Sequence, residues 1–441
     1  MKLKLLLLSA FLIGNANALT LEEAVQTALE KNNLIKAKKL ELKEKELDFK
    51  ISKLRLLPRV DFYSEYNKTT DPPYAIMNRM EVKKLDPRVT DFNDPTKFQL
   101  FKTGVRATVP IWMGGKLRIA VDLAEKEVKA SKKQLKKSKE EVVYNVVKAY
   151  YGALTAKAFV KTAELAVRDA EKHLKDAETV YRAGLGVKSD FLRAKVYLER
   201  AKETLVEAKS NYEIAKRALA VAMGLKPTTD LNVEGELTYR PFYLDLNELI
   251  ETALKSRPEL KELKVRLKQS EDMERLARSD FMPNVAAFGD YFMAADTAPW
   301  NKENSSWTFG LQVTFNLFDG GIKFKKLRKS RLTKLKVQEY IERAEKGVAF
   351  EVARAYYRFL EAEQKLKLAQ ASVESAEESL RIVEKRYKNG LATITELLDT
   401  QTALNEARSN YVAALSLYRT AVAEVYHAAG ILEEKYRELV E

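Results

Sequence analysis

The chain has 441 residues, a formal net charge of +14 and no cysteine, which excludes disulfides, thiolate metal sites, thiol nucleophiles and a lipidated cysteine anchor. Only 16 glycines and 11 prolines interrupt a sequence rich in Lys, Glu, Ala and Leu, a composition of long helices rather than of an α/β enzyme. The basic excess does not point to nucleic acid, because Lys and Glu alternate in stretches such as Lys43-Glu44-Lys45-Glu46, the pattern of solvated helix faces.

Residues 1–18 have the form of a cleaved secretory signal: Lys2 and Lys4, an apolar run, then Ala16-Asn17-Ala18. No later segment approaches the roughly 20 apolar residues of a spanning helix, so a mature chain that enters a membrane must do so as a β-barrel.

From Leu21 onward the chain is duplicated. The opening Leu21-Glu22-Glu23-Ala24-Val25-Gln26-Thr27-Ala28-Leu29 returns at an offset of 225 as Leu246-Asn247-Glu248-Leu249-Ile250-Glu251-Thr252-Ala253-Leu254, and Pro58 returns as Pro283. Beyond the next loop the offset is 206, carrying Gly104, Tyr181, Gly184 and Gly224 onto Gly310, Tyr387, Gly390 and Gly430. The length change falls in 71–97, which reads as a surface loop. The expected divisions are the signal (1–18), a first repeat (19–224), a linker broken by Pro227, Gly235 and Pro241 (225–245), a second repeat (246–430) and a tail (431–441).

Within each repeat the order is short helix, medium helix, strand, loop, strand, very long helix, turn, long helix. Phe309, Leu311, Val313, Phe315 and Leu317 alternate with Gly310, Gln312, Thr314 and Asn316, and Val105 to Ile111 do likewise, as in a barrel wall between lipid and water or, on pattern alone, a soluble sandwich; the aromatic flanks favour the barrel. Aromatic flanks at Phe62, Tyr63, Tyr66, Phe98 and Phe101, and at Phe288, Tyr291, Phe292, Trp300 and Trp307, look like interfacial girdles. Gly152 alone interrupts 115–181, a helix of about 65 residues and roughly 100 Å. The helix after it repeats Phe191, Ala194, Leu198, Ala201, Leu205 and Ala208 in 3-4 spacing, and Leu397 to Ala428 do the same, predicting antiparallel coiled coils. Four strands cannot close a barrel with an interior, so several chains must pool them; three chains give twelve.

The duplicated openings, the strand ends Pro110-Ile111-Trp112-Met113-Gly114-Gly115 and Asn316-Leu317-Phe318-Asp319-Gly320-Gly321, and the turns at 181–190 and 387–399 together resemble the TolC family of outer-membrane efflux and secretion proteins. Leu249 departs from the family's first alanine. The resemblance implies a mainly α fold with a small β part, a homotrimer with a twelve-stranded outer-membrane β-barrel, and an α-helical tunnel into the periplasm. It further implies a passive duct for a tripartite efflux or type I secretion system, partnered by a periplasmic adaptor and an inner-membrane transporter. A periplasmic coiled-coil adaptor is the alternative. The family narrows its pore at the hairpin turns, where Glu396 and Asp399 lie one helical turn apart and would stack as two carboxylate rings. The rival reading caps a helix, with Thr393 and Glu396 as a capping box. The resemblance assigns gate links to Tyr387 with Asp190 and to Ser189, with turns at Gly184 and Gly390; an expected arginine is Ala392. No motif for catalysis, a metal or a cofactor is found, and His173 and His427 fall in helical seams, so no enzyme is expected.

Overall fold

The computed structural model describes residues 19–184, 186–300 and 304–439; the expected signal, 1–18, and the end of the tail lie outside the described residues. Fifteen elements follow in chain order, and the two repeats match in helix length. The first holds α1 (Leu21–Lys31), α2 (Asn33–Leu54), β1 (Arg59–Thr69), α3 (Pro72–Glu81), β2 (Phe98–Met113), α4 (Lys116–Arg182) and α5 (Lys188–Ala222). The second holds α6 (Leu246–Ser256), α7 (Pro258–Ser279), β3 (Asn284–Ala295), β4 (Ser305–Thr314), α8 (Ile322–Lys388) and α9 (Ile394–Ala428), followed by α10 (Leu432–Lys435) and a 3-10 turn, Tyr436–Leu439. Helices α4 and α8 each have 67 residues, and α5 and α9 each have 35. Gly152 lies unbroken inside α4, because a single interior glycine costs only about 1 kcal/mol.

Both openings start as their sequences dictate. Thr20 accepts from the Glu23 N–H while Glu23 reaches back to the Thr20 N–H, a full capping box. Asp245 accepts from the Glu248 N–H at the same position of the second repeat. Leu21, Ala24, Val25 and Ala28 are buried at the i, i+3, i+4, i+7 spacing of one helix face. The duplication extends to backbone contact. Gly224 ends α5 against Asn32, where a Cβ would stand 2.6 Å from the Asn32 Cα; Gly430 ends α9 against Arg257, where it would stand 3.2 Å from the Arg257 Cα. Asn32 and Arg257 are the C-caps of α1 and α6, so each repeat clamps its opening helix with the glycine that closes its hairpin.

The described chain forms two compact units, and both repeats contribute to each. One comprises residues up to Glu41, 131–262, and Ile341 onward. Its core joins Val143, Val147 and Tyr151 of α4, Val352 and Phe359 of α8, and Tyr418 and Val422 of α9. The segment 225–245 is irregular but anchored: Tyr150 Oη donates to the Glu234 carbonyl at 2.6 Å, and Tyr418 Oη donates to the Arg240 carbonyl at 2.7 Å. The C-terminal turn folds back on this core, with Leu432, Tyr436 and Leu439 buried and the Leu439 carbonyl accepting from Tyr151 Oη (2.9 Å) and from Arg419.

The other unit comprises Leu42–Ala130 and Leu263–Tyr340. It holds one antiparallel sheet in the order β1-β2-β3-β4, so β1 and β4 are both edges. Antiparallel partners share a face, and the register therefore sorts the side chains. Phe62, Val105, Tyr291 and Trp307 align on one face, as do Val60, Ala107, Gly289 and Phe309. The opposite face aligns Asp61, Arg106, Asp290 and Thr308. One wall is apolar and exposed, the other polar; Arg106 Nη2 reaches Asp290 at 2.8 Å and Tyr63 Oη donates to Asp290 at 2.9 Å.

Three expectations change. Tyr63, Phe98, Phe288 and Phe292 fall on the polar face by register, so they are not part of an outward aromatic girdle. Of the expected members, Tyr66 meets Phe101 (4.8 Å between rings) and Phe62 stacks on Trp300 (5.9 Å). The stretch 71–97 is not all loop: Pro72 and Pro73 start α3, since proline is tolerated in a first helical turn, and Ala75 is buried while Val82 packs with Leu100 and Ala294. Finally β4 ends at Thr314, leaving Phe315 and Leu317 beyond the ladder, and β2 carries a register shift between Pro110 and Trp112, where proline has no N–H to give. No helix among the described residues is long and apolar enough to cross a membrane.

Candidate functional site at the hairpin turns

The two turns close the α4–α5 and α8–α9 hairpins, and a small core joins them: Ala177 of α4, Ala194 of α5, Val383 of α8, and Ile394, Leu397 and Leu398 of α9. Gly184 (φ 74°) and Gly390 (φ 70°) occupy the left-handed conformation that ends α4 and α8. Their N–H groups donate to the carbonyls of Tyr181 and Tyr387, both at 3.0 Å.

Glu396 sits at the third position of α9. Its backbone N–H donates to Thr393 Oγ1 at 3.1 Å, but its carboxylate does not complete the capping box. It accepts instead from Arg386 Nη1 at 2.5 Å, while Arg386 Nη2 donates to the Leu391 carbonyl at 3.0 Å. Both partners are well exposed, so the pair is worth at most about 1 kcal/mol, yet it offsets the charge of Glu396. Asp399, one turn on, is exposed and has no ion-pair partner among the described residues.

Tyr387 is half-buried in the joining core, and burial, followed by the charges of Asp190 and Asp176, pushes its hydroxyl pKa up. Asp190 and Tyr387 are thus electrostatic neighbours, though no hydrogen bond joins them. Ser189 is exposed.

The links that do join the hairpins lie beside these. Arg193 Nη1 of α5 donates to Thr395 Oγ1 of α9 at 2.6 Å, and Lys172 of α4 meets Glu384 of α8 at 2.8 Å. Two turns further along, His173 Nε2 and Gln401 Oε1, both buried, stand 3.0 Å apart, and Gln401 Nε2 donates to Asp169 at 3.2 Å and Asn405 Oδ1 at 3.2 Å. Asn405 Nδ2 donates onward to Tyr197 Oη at 3.2 Å. A buried polar row of this kind fixes the register of helices whose apolar seams would tolerate a slide. Sequence reasoning placed His173 in a seam but missed Gln401, Asp169 and Arg386; the last was legible in principle, since a hairpin sets the final turn of α8 against the first turn of α9.

Known proteins are similar in the same terms. The chain matches the outer membrane efflux protein family over residues 24–225 and 249–431. Among curated proteins it is 26% identical over 262 residues to Protein CyaE of Bordetella pertussis, and 24% over 268 residues to the alkaline protease secretion protein AprF of Pseudomonas aeruginosa. These alignments take in 57% and 59% of this chain and 54% and 55% of theirs, so the chain spans about half the length of the curated relatives it matches. Among solved structures, the open-state outer membrane channel MtrE of Neisseria gonorrhoeae has a TM-score of 0.76 at 19% identity, covering 93% of this chain and 88% of that one. The outer membrane channel CmeC of Campylobacter jejuni has 0.74 at 19%, covering 96% and 89%. The periplasmic adaptor alternative is not favoured by these matches. Sequence, repeat structure and fold agree: the chain belongs to the outer membrane efflux protein family and is a protein of the outer membrane.

Proposed function

We propose that this chain is one protomer of a homotrimeric exit duct, a passive channel from periplasm to exterior serving a tripartite efflux or type I secretion system. The observation that carries the reading is the sheet with two open edges and one exposed apolar wall. Unpaired backbone groups are not tolerated in lipid, so β4 of one copy must pair with β1 of the next until the sheet closes. Three copies close it with twelve strands. The helices make the same demand: α5 exposes Val206 and Ile214, and α8 exposes Phe350 and Leu368, all more than 60% accessible. A head-to-tail contact between those two faces generates a ring. A periplasmic adaptor and an inner-membrane transporter supply cargo and energy in this reading, and the duct itself does no chemistry. AprF, named for alkaline protease secretion, supports the secretion branch.

The hairpin turns form the mouth. Three copies of Asp399 are its uncompensated carboxylate ring, Glu396 lies behind it in partial neutralisation by Arg386, and Tyr387, Asp190 and Ser189 flank the contact that must part for opening. The test is single-channel conductance of the purified protein in a planar bilayer, wild type against Glu396→Gln/Asp399→Asn. Cation-selective openings that lose selectivity in the double variant are expected. Unchanged selectivity would leave the duct standing and take both carboxylates off the conducting path.

A further inference from the structure

The start of α8 carries a charge pattern that neither the channel nor its mouth uses. Residues 322–338 contain eight Lys or Arg and no Asp or Glu, a run whose like charges repel at i, i+4 unless an external anion balances them. Arg331 and Lys334 are balanced by Glu274 and Glu271 of α7, both at 3.2 Å, and Lys326 lies 3.7 Å from Asp280. Lys325, Arg328 and Lys329 are exposed and have no acidic partner among the described residues. The first repeat has Ile119, Asp122 and Leu123 at the corresponding positions, so the excess belongs to the second repeat alone.

Geometry fixes which way this turn of helix looks. The odd-numbered residues of β4 lie on the exposed apolar wall, and Phe315 continues that parity just past the strand end. Lys323 Nζ stands 5.7 Å from the Phe315 ring and 5.9 Å from the Phe281 ring, and Phe281 meets Phe324 edge-on at 5.2 Å. Phe324 is itself 69% exposed, with Arg328 one helical turn beyond it on the same face. An aromatic cluster at the end of a lipid-facing wall, followed within one turn by unpaired cations, is the order in which a protein leaves a bilayer: apolar boundary first, then headgroups.

We propose that the first turns of α8 bind the anionic phospholipid headgroups of the periplasm-facing leaflet, with Phe315 and Phe324 at the apolar boundary and Lys325, Arg328 and Lys329 among the phosphates. The inference rests on the barrel reading above, and names the lipid chemistry that reading leaves open. Each basic residue near an anionic surface is worth about a five-fold change in partition, and the effect fades within a Debye length as salt rises.

The full-length protein is reconstituted into nanodiscs of equal phosphatidylglycerol and phosphatidylcholine, and the lipid retained after stripping is quantified by mass spectrometry. Wild type is expected to retain phosphatidylglycerol several-fold over phosphatidylcholine, less so at high salt; Lys325→Gln/Arg328→Gln/Lys329→Gln is expected to retain the two lipids about equally, with unchanged conductance. Equal retention by wild type and triple variant, or a changed ion selectivity with unchanged lipid retention, overturns the proposal by placing these cations elsewhere. Protein that neither inserts nor conducts in any bilayer fails the channel reading itself, whereas insertion without headgroup preference fails only this inference.

Discussion

The two repeats share one backbone plan and differ in what each surface is asked to cover. Helices α5 and α9 have equal length and the same 3-4 seam, yet α9 buries Leu397, Leu404, Ala414, Tyr418 and Val425 along the seam and Leu398, Leu415, Val422 and Tyr426 beside it, whereas α5 buries few residues and exposes Leu192, Val196, Val206 and Ile214. Helix α9 is largely covered within the chain, and α5 leaves an apolar face uncovered. Duplication thus supplied a scaffold, and divergence assigned one copy to the interior of the protomer and the other to its boundary.

The largest effect expected from this difference is on assembly. Ile214→Asp on α5 or Phe350→Asp on α8 places a carboxylate where the proposed ring buries apolar surface, at a cost of several kcal/mol for an unpaired charge. Light scattering of the detergent-purified variants should show protomers in place of trimers. An equivalent charge at Lys367, exposed on the same helix and already ion-paired to Glu363, should leave the trimer intact. Trimers that survive both substitutions would mean that the exposed apolar faces of α5 and α8 are not the interface.

A second difference lies where the C-terminus folds back. Glu140 of α4 and Lys346 of α8 are equivalent positions, but Lys346 is exposed, whereas Glu140 is only 3% accessible beneath α10. Burial, together with Glu433 and Glu434, pushes the Glu140 carboxyl up to about 7, against the lowering effects of the Glu433 backbone N–H and Lys136. The folded state therefore holds a proton that the unfolded chain releases near pH 4.5. The stability this represents is fully present below that value and is lost as pH rises through about 7, a swing of about 3 kcal/mol. Glu140→Gln removes the titration, so its thermal melt should match wild type at pH 4.5 and exceed it by a few degrees at pH 8. Parallel melts at both pH values would show that the site relaxes to admit water.

The scaffold was legible from the sequence because its signals are periodic and redundant. Helix length, seam spacing and the paired glycines each occur twice, and errors in one copy are corrected by the other. What was not legible depends on register or on contacts far apart in sequence. Aromatic residues such as Tyr63 and Phe292 read as girdle members until strand pairing put them on the polar wall, because a face is set by the partner strand rather than by composition. The row from His173 through Gln401 to Tyr197 spans three helices, and no local pattern marks it. The acidic pair at the second turn was visible, but its partner Arg386 changes how much charge it presents.

That partner gives the smallest and most specific test of how the two turns differ. The position equivalent to Arg386 in the first repeat is Val180, an apolar residue of α4, so the second turn carries a cation at a position where the first has none. Arg386→Gln removes an exposed pair worth less than about 1 kcal/mol, and thermal stability should fall by no more than a degree or so. Its electrical effect should be far larger, because three copies of Glu396 then join three of Asp399 without compensation, and cation selectivity in the planar bilayer should rise. Asp399→Asn should move selectivity the other way, and the two changes together should restore something close to wild type. If Arg386→Gln leaves selectivity untouched, Glu396 does not face the conducting path, and the mouth is governed by the single ring at Asp399.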